Sequence, residues 1–94
     1  MPRIDKLLVR ALARAYAMRL KLESGEAKSV PDLVAQFAIG ESYVRKILPI
    51  GFLAPDLMEQ ILEGRQPARL QIGHISDGKL PLDWAAQRAL FASL

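Results

Sequence analysis

Five polar side chains close together in the sequence are the residues of this chain best suited to binding a ligand. They are Glu41, Ser42, Tyr43, Arg45 and Lys46. The guanidinium of Arg45 and the ammonium of Lys46 can donate hydrogen bonds to base edges or flanking phosphates, and the hydroxyl groups of Ser42 and Tyr43 can contact backbone or bases. An outward Arg–Lys pair on a short helix favours the major groove of double-stranded DNA.

Two of these assignments leave alternatives open. Glu41 can accept a hydrogen bond from cytosine, or it can stabilise the N-terminus of its helix through the helix dipole. Arg45 and Lys46 can contact DNA, or they can belong to a solvated helix face. The residue types predict DNA contact, and the helix that carries them must face outward for that prediction to hold.

The segment that must position these side chains is VPDLVAQFAIGESYVRKIL, from Val30 to Leu48. Its apolar residues recur at helical spacing on both sides of a tight turn, which predicts a helix-turn-helix over about 30–48. Ser29 is the predicted N-cap, Asp32 occupies a capping-box position, and Pro49 limits the second helix to about two turns. The expected inward side chains are Leu33, Val34, Phe37, Ile39, Val44, Ile47 and Leu48.

A basic helix precedes this motif. Its Leu, Ala, Arg and Lys residues predict a helix over about 4–23, ended by Gly25 in the left-handed conformation. Four basic residues recur at steps of three or four, which predicts one stripe: Arg3, Lys6, Arg10 and Arg14. Such a stripe can lie along a phosphate backbone, with Arg10 and Arg14 positioning the domain electrostatically; the alternative is a solvated outer face.

The rest of the chain predicts two further helices. One covers about 54–63, with Pro55 in its first turn and Gly64 as its stop, and an apolar face of Leu57, Met58, Ile61 and Leu62. The other covers about 82–92, with Asp83 as its cap and Trp84, Leu90 and Phe91 as apolar anchors. With 94 residues and 51% hydrophobic content, we expect residues 1–94 to form a single domain. The predicted fold is all-α, a compact bundle of five or six helices.

The composition argues against several classes of protein. The chain has no cysteine and one histidine, His74, so we expect no metal site and no cofactor. No phosphate-binding GxxxxGK loop occurs and no serine has an activating base beside it in a recognisable arrangement, so we expect no catalytic residue and no enzyme. No long apolar run or signal peptide is recognisable, which predicts a cytoplasmic protein without a membrane partner. The net charge of +3 agrees with a polyanionic partner only weakly.

Two longer stretches carry a family resemblance. They are GFLAPDLMEQILEGRQP, from Gly51 to Pro67, and LPLDWAAQR, from Leu80 to Arg88. With the basic first helix, they resemble the C-terminal DNA-binding segment of bacterial and phage large serine recombinases over nearly the whole chain. More distantly, SYVRKI followed by LAPDLMEQILEGR is similar to the helix-turn-helix region of ParB-like partition proteins. The chain departs from the recombinase pattern at Val34, Ala38 and Gly40, where Ala, Gly and Ser respectively are common.

The recombinase resemblance implies a DNA-binding accessory domain whose usual neighbour is a catalytic domain with a nucleophilic serine. The expected partner is double-stranded DNA, together with a recombinase catalytic domain or a second copy of the chain. Three interpretations remain open. The chain is a sequence-specific DNA-binding domain, a helical protein-interaction module that has kept the fold but lost affinity for DNA, or an enzyme fragment that acts only beside a catalytic partner; a small transcriptional or partition-type regulator is an alternative to a recombinase accessory domain. The first is favoured.

Overall fold

The first helix begins where the sequence offers an N-cap and ends where glycine permits a left-handed turn. In the computed structural model, which describes residues 2–94, α1 spans Lys6–Ser24. The Asp5 carboxylate accepts hydrogen bonds from two N–H groups of the first turn, at 3.0 and 3.2 Å. Gly25 follows the helix with φ 83°, as predicted. The helix starts later than the sequence indicates because Asp5 caps it.

Arg3 lies outside α1, so it does not share the helical face of the predicted basic stripe. The Arg3 N–H donates to the carbonyl of Gly64 at 2.7 Å, and the Arg3 carbonyl accepts from the side-chain amide of Gln66 at 3.1 Å. Hydrogen bonds therefore connect the residues before α1 to residues 64–66. The prediction of a four-residue helical stripe is wrong at Arg3, and its helical part consists of Lys6, Arg10 and Arg14.

Two short helices follow, α2 over Val30–Phe37 and α3 over Glu41–Ile47. The Ser29 hydroxyl accepts from the N–H of Asp32 at 3.3 Å, as expected of an N-cap. The Asp32 carboxylate accepts from the N–H of Lys28 at 2.8 Å, one residue earlier than a capping box requires. Both groups still satisfy N–H donors at the start of α2.

The remaining elements are α4 over Pro55–Leu62, α5 over Trp84–Ala92, and two 3₁₀ helices over Leu48–Phe52 and Ile72–His74. Within residues 2–94 there are five α-helices and no strand, which confirms the all-α prediction. The radius of gyration of the Cα atoms is 13.2 Å, close to the value of about 13 Å typical of a compact domain of this length.

The core lies where α1 crosses the first 3₁₀ helix, with α3 and α4 beside it. A side chain at Gly51 would place its Cβ 2.5 Å from the carbonyl oxygen of Ala15, so the close crossing requires glycine. The largest apolar side chains that are fully buried come from every part of the chain: Leu8, Met18, Leu33, Val44, Ile47, Ile50, Leu53, Leu57, Ile61 and Ile75.

Two predicted apolar anchors lie at the surface. Trp84 is 47% exposed and Leu62 is 52% exposed, so the expectation that both pack inward is wrong. Trp84 is the first residue of α5, and the polar Gln87 one turn later takes the inward position instead. Phe91 is buried and Leu90 packs against the core from a partly buried position, as predicted.

Gln87 connects three segments from inside the protein. Its Oε1 accepts from the N–H of Ala54 at 2.8 Å, and its Nε2 donates to the carbonyls of Pro81 and Phe52 at 2.8 and 3.2 Å. Beside it, Arg88 makes two hydrogen bonds to the Asp56 carboxylate. Hydrogen bonding to the Arg88 guanidinium lowers the pKa of Asp56. These bonds fix α5 against the start of α4.

Replacing Ala38 by glycine is expected to raise the free energy of unfolding by about 0.5 to 1 kcal/mol. Ala38 ends α2 with φ 55°, a left-handed conformation that strains a residue with a Cβ. Urea unfolding measures the change. Ala35→Gly at an exposed position within α2 is the control, and it is expected to lower stability by about 1 kcal/mol. A loss of stability in both variants would contradict the strain at Ala38.

Candidate nucleic-acid interface

The orientation of α3 is fixed by its contacts with α2 and with the core. The two helices contact each other and are joined by residues 38–40. Leu33 of α2 and Val44 and Ile47 of α3 are wholly buried, while Ile39 in the turn packs partly buried against them. Because Val44 and Ile47 point inward, the opposite face of α3 must point outward.

The outward face of α3 carries three of the residues singled out by the sequence. Glu41, Ser42 and Arg45 are exposed. The Arg45 Nε lies 3.6 Å from a carboxylate oxygen of Glu41, one helical turn away. An exposed pair of this kind contributes only about 0.3 to 0.5 kcal/mol. Arg45 can therefore exchange this partner for a phosphate or a base at small cost.

Tyr43 and Lys46 occupy a different position from the one the sequence predicts. Both are partly buried, and Tyr43 packs against the core cluster, so they do not lie fully outward. Residues three apart on a helix are neighbours, which places them on one flank of α3. The guanidinium of Arg14 lies over the ring of Tyr43, 5.9 Å from its centroid. This flank therefore faces α1.

The contact between Arg14 and Tyr43 connects α3 to the cations of α1. Lys6, Arg10 and Arg14 are all exposed, follow one another at four-residue steps, and lie on one face of α1. We call Arg10, Arg14, Tyr43, Arg45 and Lys46 the basic surface. It combines four cations with one aromatic ring, and Glu41 is the acidic side chain beside it. These residues are 36 positions apart at most in the sequence, and the packing of α1 against α3 brings Arg14 to Tyr43.

The C-terminal end of α3 has a further neighbour that the sequence does not predict. The N–H of Asp77 donates to the carbonyl of Lys46 at 3.1 Å, so the segment 76–79 adjoins the end of α3. Lys79 in this segment is exposed. The dipeptide Asp77–Gly78 is a signal for a tight turn, but which helix the turn contacts depends on the tertiary structure.

In residues 2–94, no three His, Asp or Glu side chains are grouped so that they could hold a metal ion. Each helix over the same residues is too short or too polar to traverse a lipid bilayer.

The geometry of the basic surface suits binding to a polyanion. The exposed Arg side chains and the partly buried Lys46 supply N–H donors, and the outward face of a short helix supplies a shape that fits a groove. Comparisons with protein-family models, with curated proteins and with solved structures return no match for this chain.

Proposed function

We propose that this chain is a double-stranded DNA-binding domain in which α2 and α3 form a helix-turn-helix and α3 enters the major groove. It serves as the accessory DNA-recognition part of a site-specific recombinase, or as a stand-alone remnant of one. In this proposal the protein acts in the cytoplasm, it binds DNA without a cofactor, and the chain itself performs no catalysis. A recombinase catalytic domain or a second copy of the chain is its protein partner.

The observation that carries the proposal is the position of Arg14 over Tyr43. This contact joins one cation of α1, Arg14, to the flank of α3 that borders its outward face. A recognition helix alone reads bases, but most of the affinity of such domains comes from phosphate contacts at its borders. The basic surface supplies both parts side by side.

The residues divide into two roles. Arg45 and Lys46 approach base edges or the adjoining phosphates, and Ser42 contacts a base or the backbone. Arg10 and Arg14 bind phosphates and set the orientation of the domain, since phosphate contacts position a protein without specifying sequence. Tyr43 holds Arg14 against α3. Glu41 accepts from cytosine or stabilises the N-terminus of α3, where Gly40 provides no side-chain cap.

The double variant Arg45→Ala with Lys46→Ala is expected to weaken duplex binding by roughly 30- to 100-fold near 100 mM salt. The logarithm of the affinity falls linearly with the logarithm of the salt concentration, and each lost phosphate contact makes this slope less steep by about 0.9. The slope should therefore become less steep by nearly two units. The measurement is a fluorescence-anisotropy titration at several salt concentrations. The DNA is a duplex selected from a random library by binding to the wild-type chain.

The matched control is Arg65→Ala with Arg69→Ala, which removes the same charge from exposed positions after α4. This control is expected to change the affinity by less than about threefold, because neither residue belongs to the basic surface and exposed charges outside an interface are screened by salt. Unchanged affinity and slope in the α3 variant would show that α3 is not the reading helix.

A helical protein-interaction module is the second candidate. Its supporting observation is the exposure of large apolar side chains, with Leu82 84% and Trp84 47% exposed. Such residues on a folded surface can mark a protein-binding site. Absence of salt-dependent binding to any selected or random duplex by the wild-type chain would favour this candidate over the first.

A further inference from the structure

We propose that the segment Ser76–Lys79, here called the 76–79 turn, is a second DNA-contacting element in which Lys79 binds a backbone phosphate beside the groove that α3 occupies. This inference rests on the proposed function and extends it to a part of the chain that carries no other role. The ligand is a phosphodiester group of duplex DNA, and the contact orients the domain without reading a base.

The 76–79 turn is firmly attached to the end of α3. The N–H of Asp77 donates to the Lys46 carbonyl at 3.1 Å, which is one of the carbonyls that a helix C-terminus leaves without an intrahelical partner. Ser76 is 0% exposed, and its N–H donates to the carbonyl of Ile72 at 3.0 Å. A backbone hydrogen bond therefore holds the turn against the end of α3, and the burial of Ser76 anchors its first residue in the core.

The conformation of the turn is also well defined. The N–H of Lys79 donates to the carbonyl of Ser76 at 3.2 Å, which closes a four-residue turn. Its two central residues, Asp77 and Gly78, have φ values of 58° and 77°, the pattern of a type I′ turn. The Ser76 hydroxyl donates to one carboxylate oxygen of Asp77 at 2.9 Å, which holds that side chain within the turn. A preorganised element of this kind loses little conformational entropy on binding.

Lys79 is the side chain that this turn presents. It is exposed, and it forms no ion pair within residues 2–94. A helix lying in a groove about 12 Å wide is bordered by phosphates. A cation fixed just beyond the end of such a helix is in a position to meet one of them. Lys79 thus complements Arg10 and Arg14, which reach phosphates from α1.

Lys79→Ala is expected to weaken binding to the selected duplex by roughly fivefold near 100 mM salt. The slope of log affinity against log salt should become less steep by about 0.9. Lys79→Glu should weaken binding further. Arg65→Ala is the control with the same change of charge. Arg65 lines the cleft between α4 and α5 with Asp56 and Phe91, and we expect its substitution to change the affinity by less than twofold.

A second measurement follows the amide NMR signals of Gly78 and Lys79 during a duplex titration. These signals should shift together with those of α3.

The outcomes separate this inference from the proposed function. If Arg45→Ala with Lys46→Ala loses affinity while Lys79→Ala binds like wild type and the Gly78 and Lys79 signals stay in place, the role of the turn is wrong and that of α3 stands. If Lys79→Ala lowers both affinity and slope, the turn is part of the interface. A wild-type chain that binds no duplex overturns both proposals.

Discussion

Replacing Gln87 by leucine is expected to lower the free energy of unfolding by about 3 to 5 kcal/mol, because each buried polar group left without a partner costs about 1 to 3 kcal/mol. The side chain is 0% exposed and satisfies the N–H of Ala54 and the carbonyls of Phe52 and Pro81. Leucine fills a similar volume and makes none of these bonds. Since Ala54 is itself 0% exposed, water cannot readily replace the lost acceptor. Urea unfolding followed by circular dichroism measures the effect.

Gln36→Leu is the matched control for this prediction. Gln36 is exposed and its amide donates one hydrogen bond, to the carbonyl of Glu26 at 2.8 Å. Water can satisfy that carbonyl after the substitution, so a loss of less than about 1 kcal/mol is expected. Equal losses in the two variants would mean that the buried bonds of Gln87 contribute no more than an exposed one.

A pH series on Gln87→Glu tests the same network from another direction. In this variant, an ionised carboxylate oxygen would face the carbonyl oxygens of Phe52 and Pro81, with no hydrogen to donate to them. The neutral carboxyl form is therefore favoured, and the pKa of this group in the folded state is raised. The unfolded chain loses that proton first, near the ordinary glutamate pKa of about 4.3. Stability should therefore decline as the pH rises from that value through the raised pKa. The wild-type chain has an uncharged amide at this position and should lack the decline that the carboxyl group causes.

Much of the helix architecture can be predicted because caps depend on neighbouring residues. Ser29 and Asp83 accept hydrogen bonds from N–H groups of the first turns that follow them, and Gly25 and Gly64 take the left-handed conformation after their helices. These interactions connect residues at most a few positions apart. The residue type and its immediate context are then sufficient to predict them.

The positions that sequence reasoning misplaces depend on contacts between distant segments. Periodicity assigns Trp84 and Leu62 to the core, but it cannot reveal that Gln87 fills the inward position of α5 to bond with residues more than thirty positions away. Arg3 fits the helical spacing of the basic stripe, yet it bonds to Gly64 and Gln66 instead. The helical spacing of apolar residues cannot identify a buried polar residue such as Gln87, because such a residue interrupts that spacing.

For the candidate site, the sequence predicts the orientation of α3 but not the segments that pack against it. The spacing of Val44 and Ile47 correctly orients α3, so Glu41, Ser42 and Arg45 are exposed as expected. The packing of α1 against α3 was not predictable, and it is what covers part of Tyr43 and places Arg14 over its ring. The contact of the 76–79 turn with α3 likewise crosses thirty positions of sequence.

The largest effect on function is expected from reversing the charges on α1. Arg10→Glu with Arg14→Glu should weaken binding to the selected duplex by roughly 100-fold or more near 100 mM salt. Two phosphate contacts are lost, and two carboxylates then face the DNA backbone. Both positions are exposed and glutamate is a good helix former, so the variant should remain folded. Anisotropy titrations give the affinity, and circular dichroism checks the helix content.

Arg65→Glu with Arg69→Glu separates the position of the charges from the total charge. Each pair of substitutions changes the net charge by four units, from +3 to −1. If binding depends on net charge alone, the two double variants lose affinity equally, and α1 has no special place in the interface. If α1 lies along the phosphates, the control pair should lose less than about fivefold, because screening over about 10 Å limits the effect of remote charges. The ratio of the two losses thus measures how closely Arg10 and Arg14 approach the DNA.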